Sequence, residues 1–256
     1  MEKYCLDLRV ADREQLSPHH VLLKLTSDEA LPHTLPGQFV NLRADQGGRP
    51  LLRRPISINF QDYDDNTLWL LIAAVGEGTR YLCSLQKGDV VNCLFPLGRP
   101  FSEPEKVDSH VLLVGGGVGV APMLMQGAHL AGLGHSVTFL LGAKTKDDLL
   151  ELSLFEKWGD VKITTEDGSL GGRGFVTNHS VLQEQEFDLI QTCGPTPMMK
   201  AVAKYARQSD TTCEVSLENL MACGLGACLC CVEKTVDGNL CVCKDGPVFN
   251  INKLLW

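Results

Sequence analysis

Two rhythms of apolar and polar residues divide the chain. In the first stretch, apolar positions recur at every second residue: Leu6, Leu8 and Val10 alternate with Asp7 and Arg9, and similar short runs occur at Val21–Thr26, Phe39–Arg43 and Val90–Phe95. Period two puts one set of side chains on one face of a strand, so these runs predict half-buried strands. Thr67–Val75 is longer and almost wholly apolar, again of strand character. Clusters of Pro, Gly and Asp, such as Lys87-Gly88-Asp89, separate the runs. Short strands with such punctuation predict a small antiparallel barrel.

From His110 the rhythm changes. Val111-Leu112-Leu113-Val114 is a continuous apolar strand, followed by a glycine turn and a predicted helix from Pro122 to about Leu133. Strands at Ser136–Leu141, Val161–Thr165 and Phe187–Thr192 alternate with helical segments at Leu149–Trp158 and Thr196–Gln208. Strand, turn, helix, strand is the pattern of a doubly wound parallel sheet. From about residue 211 neither period continues. The expected organisation is therefore a barrel over 1–101, an α/β nucleotide domain over 102–210 and a small carboxy-terminal domain over 211–256.

Charge narrows the function classes. Lys plus Arg number 23 against 31 Asp plus Glu, a net charge of -8. A nucleic-acid or anionic-membrane binder would carry a basic face, so neither partner is expected. No run reaches the ~18 apolar residues of a membrane span, and the first residues have no apolar segment of a signal peptide. A cytoplasmic location is expected. Cysteine adds most: of 11, seven (Cys213, Cys223, Cys228, Cys230, Cys231, Cys241 and Cys243) crowd into the last fifth of the chain. An odd, clustered set in a reducing compartment reads first as a metal site rather than a disulfide framework.

Cys223, Cys228, Cys231 and Cys243 have the spacing C-x4-C-x2-C-x11-C. Four thiolates at this spacing suit a [2Fe-2S] cluster, and the glycines between the first two allow backbone N–H groups to turn toward sulfur. A structural zinc site is the alternative, but it favours two facing CxxC pairs, and Cys241-x-Cys243 is too tight to supply the second. Cys230 and Cys241 are then spare, with Cys241 a possible substitute for Cys243. The fourth ligand is expected on a distal strand.

Gly115-Gly116-Gly117-Val118-Gly119-Val120-Ala121-Pro122 joins a strand to a helix, the context for a pyrophosphate at a helix N-terminus. Pro122 suits the first helical turn. No acidic residue closes the second strand near Gly142, and Lys144 and Lys146 read as solvated lysines. Cys193-Gly194-Pro195 stands at another strand end, where doubly wound sheets bind ligands. In the barrel, Arg53-Arg54-Pro55-Ile56-Ser57 pairs cationic donors with a hydroxyl on an extended strand, and Gly76-Glu77-Gly78-Thr79 reads as a turn. Together they suggest a phosphate-bearing cofactor between two domains.

In this order, Arg54-Pro55-Ile56-Ser57 with Gly78-Thr79, the glycine turn and Cys193-Gly194-Pro195 resemble the ferredoxin-NADP reductase family. With Met221-Ala222-Cys223-Gly224-x-Gly226-Ala227-Cys228-x-x-Cys231 and Cys243-x-Asp245-Gly246-Pro247-Val248-Phe249, the whole chain resembles the iron–sulfur electron-transfer subunits of class B dihydroorotate dehydrogenases. The resemblance implies an FAD-binding barrel, a nucleotide domain and a [2Fe-2S] domain. It implies that Arg54, Pro55, Ile56, Ser57, Gly78 and Thr79 contact FAD, with the backbone of Leu71, Ile72 and Ala73 along the flavin. Gly115, Gly117 and Gly119 would cradle NAD, Cys193, Gly194 and Pro195 would shape the hydride-transfer site, and Cys223, Cys228, Cys231 and Cys243 would hold the cluster. The implied partner is an FMN-containing catalytic subunit in a heterotetramer of two of each, with electrons passing from FMN through the cluster and FAD to NAD in pyrimidine biosynthesis. The alternative is a flavin subunit of a ferredoxin-NADP or sulfite reductase system, in the first of which the leading ligand is typically Asp rather than Cys. A zinc-stabilised nucleotide-binding regulator is the reading from outside redox chemistry.

Overall fold

The alternating runs of the first third pair into one antiparallel sheet. The computed structural model describes residues 2–44 and 51–256; residue 1 and residues 45–50 of the expected barrel segment lie outside the described residues. The strands are β1 (Tyr4–Ser17), β2 (His20–Thr26), β3 (Phe39–Leu42), β4 (Arg54–Ser57), β5 (Phe60–Asp62), β6 (Thr67–Ala73) and, after helix α1 (Glu77–Ser84), β7 (Val90–Leu97). They lie in the order β4-β3-β7-β1-β2-β6-β5, and the sheet curls so that β4 comes against β6. Leu8, Val10, Leu23, Leu25, Leu68, Leu70 and Ile72 fill its interior. β1 runs past the alternating residues that announce it, because its first half pairs with β7 and its second with β2. Gly76–Thr79, expected as a turn, instead opens α1.

The second sheet contains β8 (His110–Gly116), β9 (Ser136–Ala143), β10 (Asp160–Thr165), β11 (Gly172–Arg173), β12 (Leu189–Cys193) and β13 (Thr212–Ser216). Helices α2 (Ala121–Gly132), α3 (Leu152–Phe155), α4 (Val181–Glu184) and α5 (Thr196–Gln208) connect them. The remaining elements are a hairpin of β14 (Val232–Thr235) and β15 (Gly238–Cys241), the one-turn helix α6 (Val242–Asp245) and β16 (Val248–Asn250). The sheet order is β11-β10-β9-β8-β12-β13-β16, all parallel except β16. β8 shows why its sequence is unbroken in apolar character. Val111 and Leu113 pack with Met123 and Leu124 of α2, while Leu112 and Val114 pack with Met199 and Val202 of α5. A strand covered on both faces has no polar side to show.

Three expectations change here. The helix expected over Leu149–Trp158 shrinks to α3, because Glu151 takes a left-handed conformation (φ 57°) that no helix interior admits. Thr212–Ser216, which shows neither period, is a sheet strand, specified by its parallel register with β12. Cys243, expected on a strand, sits on α6, immediately after the hairpin. Among the described residues no helix is long and apolar enough to cross a membrane.

Candidate functional site

The chain leaves β8 for β9 and β10 on one side, then returns through β12 to β13 on the other. The order reverses between β8 and β12, and the crevice beyond their carboxyl ends is where such sheets bind ligands. Gly115 and Gly116 end β8, and Cys193 ends β12 directly opposite Gly115. The two turns interlock. A Cβ at Gly119 would lie 2.5 Å from Gly194 Cα and 2.6 Å from the Cys193 carbonyl oxygen. Gly116 and Gly194 both make room for Met198 of α5, whose Sδ would meet a Cβ at Gly116 at 2.5 Å. Gly117 differs: its φ is 56° and a Cβ there would meet nothing within 4 Å. Pro122 stands in the first turn of α2, as its missing N–H allows.

Cys193 is fully buried, and its Sγ donates to Glu218 Oε1 at 3.8 Å. Burial, then the neighbouring Glu218 charge, pushes the Cys193 thiol well above its usual range. Glu218 follows β13 with one face open to solvent, yet the protein around it raises its carboxyl, against the lowering effect of the Cys193 contact. Pro195 stands at the residue before α5. Met198 and Glu218 escape sequence reasoning, as does the contact of Met198 with Gly116. Glu218 could have been found only by recognising β13 as the strand that delivers it to the same edge.

At the barrel edge, Arg54 lies across the first turn of α1. A Cβ at Gly78 would come 2.5 Å from Arg54 Nε and 3.0 Å from Nη2, so a side chain at this position would displace the guanidinium from where it lies. Arg54 Nη1 donates to the carbonyls of Leu52 and Arg53, and Arg54 has no ion pair among the described residues. Thr79 Oγ1 accepts from Gly76 N–H at 2.9 Å and fixes where the helix begins. A cation laid over a helix N-terminus is a cradle for a phosphate. Pro55 and Ser57 stand opposite Asn41 and Phe39 of β3, while Ile56 packs on the barrel core. β5 reaches only to Trp69 of β6, which gives its carbonyl to Asn59. Alternation then turns the peptide groups of Leu71 and Ala73 to the same unladdered edge, facing β4. Leu71 and Ile72 bury their side chains, Ile72 in the barrel core and Leu71 against the parallel sheet's core, leaving backbone to line that edge. The residues present fit a flavin dinucleotide.

The cysteine loop is built from backbone. Gly224, Gly226 and Leu229 have positive φ (71°, 80° and 58°), which turns successive N–H groups inward. Leu225 N–H donates to Cys223 Sγ at 3.3 Å, Gly226 N–H to Cys243 Sγ at 3.1 Å, and Cys243 N–H to Cys231 Sγ at 3.4 Å. Burial raises the Cys223 thiol, but the N–H of Leu225, the backbone and thiol of Cys228 and the N–H of Ala227 outweigh it and bring it down to about 6. Side-chain contacts join Cys223 to Cys228 and Cys231 to Cys243. Among the described residues no three ligand-type side chains surround a single metal position. Two thiolate pairs with inward N–H groups fit a two-iron cluster, two thiolates to each iron. Cys230 is exposed; Cys241 is buried at the end of the hairpin, opposite Val232. Asn41 of β3, opposite Pro55 of β4, donates to the Cys223 carbonyl at 3.5 Å and so ties loop to barrel.

Comparison with known proteins agrees with this geometry. Residues 113–204 match the oxidoreductase NAD-binding domain, and residues 218–255 match the iron–sulfur cluster binding domain of dihydroorotate dehydrogenase B. The dihydroorotate dehydrogenase B (NAD(+)) electron transfer subunit of Fusobacterium nucleatum subsp. nucleatum is 36% identical over 95% of both chains. That of Shouchella clausii is 40% identical over 86% of both. The chain belongs to the family of dihydroorotate dehydrogenase B electron transfer subunits. A solved structure of an NADH-dependent reduced ferredoxin-NADP oxidoreductase superposes on this member with a TM-score of 0.87 at 30% identity, covering 97% of this chain and 90% of the other. The ferredoxin-NADP+ reductase of Plasmodium falciparum, at 14% identity and a TM-score of 0.64, shares the fold.

Proposed function

We propose that this chain is the electron-transfer subunit of a dihydroorotate dehydrogenase, linking the FMN of a catalytic subunit to NAD through a [2Fe-2S] cluster and FAD in pyrimidine biosynthesis. The observation that carries it is the juxtaposition of all three candidate sites in one molecule whose relatives bear that name over nearly their full length. Bound FAD would accept a hydride and part with electrons singly, which is why such a chain needs a one-electron cluster beside a nicotinamide site.

The chain's own residues supply binding and orientation. Arg54 and the first turn of α1, opened by Gly78 and Thr79, would hold the FAD phosphates. Pro55, Ile56 and Ser57 on one side and the backbone of Leu71, Ile72 and Ala73 on the other would bracket the flavin ring. Gly117, beside the packed Gly115 and Gly119, would receive the dinucleotide, with Cys193, Gly194 and Pro195 beneath the nicotinamide. Cys223, Cys228, Cys231 and Cys243 would ligate the cluster. The functional segments follow as 1–101, 102–210 and 211–256, with β13 and β16 of the last segment completing the parallel sheet.

Leu220, Leu225 and Leu229 are 87%, 43% and 64% exposed around the cysteine loop. An apolar rim at a site that passes electrons onward suits coverage by another protein, here the FMN-containing catalytic subunit in a heterotetramer of two of each. All 11 cysteines are unpaired, which suits the cytoplasm. Co-expression with that catalytic subunit should yield a complex that reduces NAD with dihydroorotate, while this chain alone reduces its flavin with NADH and ignores dihydroorotate. Failure of the two proteins to co-purify or couple would overturn the assignment in favour of the ferredoxin-NADP type, to which the 30% identity with such a structure points.

A further inference from the structure

The flavin-facing sheet and the dinucleotide-binding helix meet at a buried polar pair that none of the cofactor sites uses. Asn59 follows β4 by two residues, and its backbone N–H is fixed on Trp69 O at 3.0 Å. Its side-chain amide Nδ2 crosses to the other sheet. It donates to Glu151 Oε2 at 2.9 Å and to the carbonyl of Ala121, the first residue of α2, at 3.3 Å. The Ala121 contact fixes which end of the amide is nitrogen, since a carbonyl can only accept. The other two oxygens of the pair, Asn59 Oδ1 and Glu151 Oε1, are both buried and both lack a partner. Glu151 also holds a left-handed backbone conformation ahead of α3, which a residue with a side chain adopts at a cost.

Two orphaned acceptors in one side-chain pair call for one donor. We propose that Glu151 is held as a neutral carboxylic acid whose Oε1 proton is donated to Asn59 Oδ1, closing a two-bond acid–amide ring, and that this clasp is a positioning element for hydride transfer between dinucleotide and flavin. The ring fixes Asn59, which stands between the end of the flavin strand and the start of α2. The glycine turn that precedes Ala121 is thereby set against the flavin strand. This role rests on the function proposed above.

The surroundings support the neutral form. Burial is the main effect raising the Glu151 carboxyl, to about 7, and it outweighs the Asn59 hydrogen bond. The charged groups facing it come from the barrel: Glu14 of β1 raises it further, and Lys24 of β2 lowers it. Lys24 is itself engaged over the Trp69 ring at 4.0 Å. Nearby, His20 of β2 is lowered chiefly by burial, with Asp148 of the preceding segment opposing. A carboxyl raised above its ordinary value of 4.5 favours the fold most below that value, and the contribution is lost as pH climbs through about 7.

The test compares wild type with Glu151→Gln, whose amide reproduces the neutral ring at every pH, using the purified chain with its flavin and cluster. Thermal denaturation should give matching Tm values near pH 5.5, with the variant the more stable of the two near pH 8.5. For NADH-dependent reduction of ferricyanide, kcat/KM of wild type should fall about threefold or more relative to the variant over the same range. Asn59→Ala should lower kcat/KM at both pH values and remove the difference. A variant less stable than wild type at both pH values would overturn the proposal by showing an ionised Glu151, and equal pH profiles would overturn it by showing that ionisation of Glu151 does not open the clasp. Absence of any NADH reaction in wild type would instead sink the functional reading, and the Tm profiles would still decide the clasp.

Discussion

The switch point of the parallel sheet and the cysteine loop are both bends of glycine-rich backbone, shaped by opposite means. At the switch point the shape comes from packing. Gly119 rests on Gly194, Gly115 on Val120, and Met198 fills the space left by Gly116 and Gly194. Such a site stands before its ligand arrives. In the cysteine loop, N–H groups point at sulfur, three positive-φ residues form the bend, and leucines face outward. Little apolar packing holds that loop, so its order must come from the metal it binds. On the function proposed above, one region would receive a diffusing ligand, and the other would be ordered by a permanent one.

The largest effect that would break this contrast is at Cys223. Cys223→Ser removes one of the four proposed ligands, and the loop has little packing to compensate. Complete loss of iron is expected, with flavin retained, because the Arg54 and Gly78 cradle belongs to the other sheet. Iron analysis and flavin absorbance on the purified variant decide it, and full iron content would hand the ligand role to Cys230 or Cys241.

Gly119→Ala should come next. The new methyl meets the backbone of Cys193 and Gly194, where no rotamer change relieves it. Overpacking of this kind costs about 3 kcal/mol. The NADH reaction should collapse while iron and flavin stay, and a variant with wild-type kinetics would show that the two turns can separate freely. Arg54→Ala should weaken flavin binding by about 1.5–3 kcal/mol, the worth of a charge-assisted contact to phosphate. Flavin retention measured by fluorescence checks this, and an unchanged dissociation constant would move the phosphate elsewhere.

The contrast also explains what the sequence made legible. The longer strands of both sheets were readable because each repeats one environment: alternation in the curled sheet, unbroken apolar character in β8, which is covered on both faces. The cysteine spacing was readable because ligand geometry constrains neighbours in sequence. Glu218, Met198 and Asn59 were not, since each matters through a partner far away in the chain: Cys193, Gly116 and Glu151. β13 hid for the same reason, its register being set by β12 rather than by any period of its own. The role of the glycines was only half visible. Sequence marked the turn as a cradle, whereas Gly115 and Gly119 are glycine for the sake of protein contacts.

Gly117 is where the two explanations separate, with the smallest expected effect. Its φ of 56° disfavours a side chain, but a Cβ there would touch nothing within 4 Å. Gly117→Ala should therefore cost about 1 kcal/mol from backbone conformation alone. For a chain of this size that lowers Tm by about 2–4 °C, well short of the loss at Gly119. The methyl group points into open space at the mouth of the switch point, so its main consequence depends on what lies there in the working protein. With the dinucleotide over this turn, KM for NADH should rise while flavin and iron contents stay at wild-type levels. A small Tm loss with an unchanged KM would place the dinucleotide off Gly117, leaving all the turn's glycines to be explained by the fold.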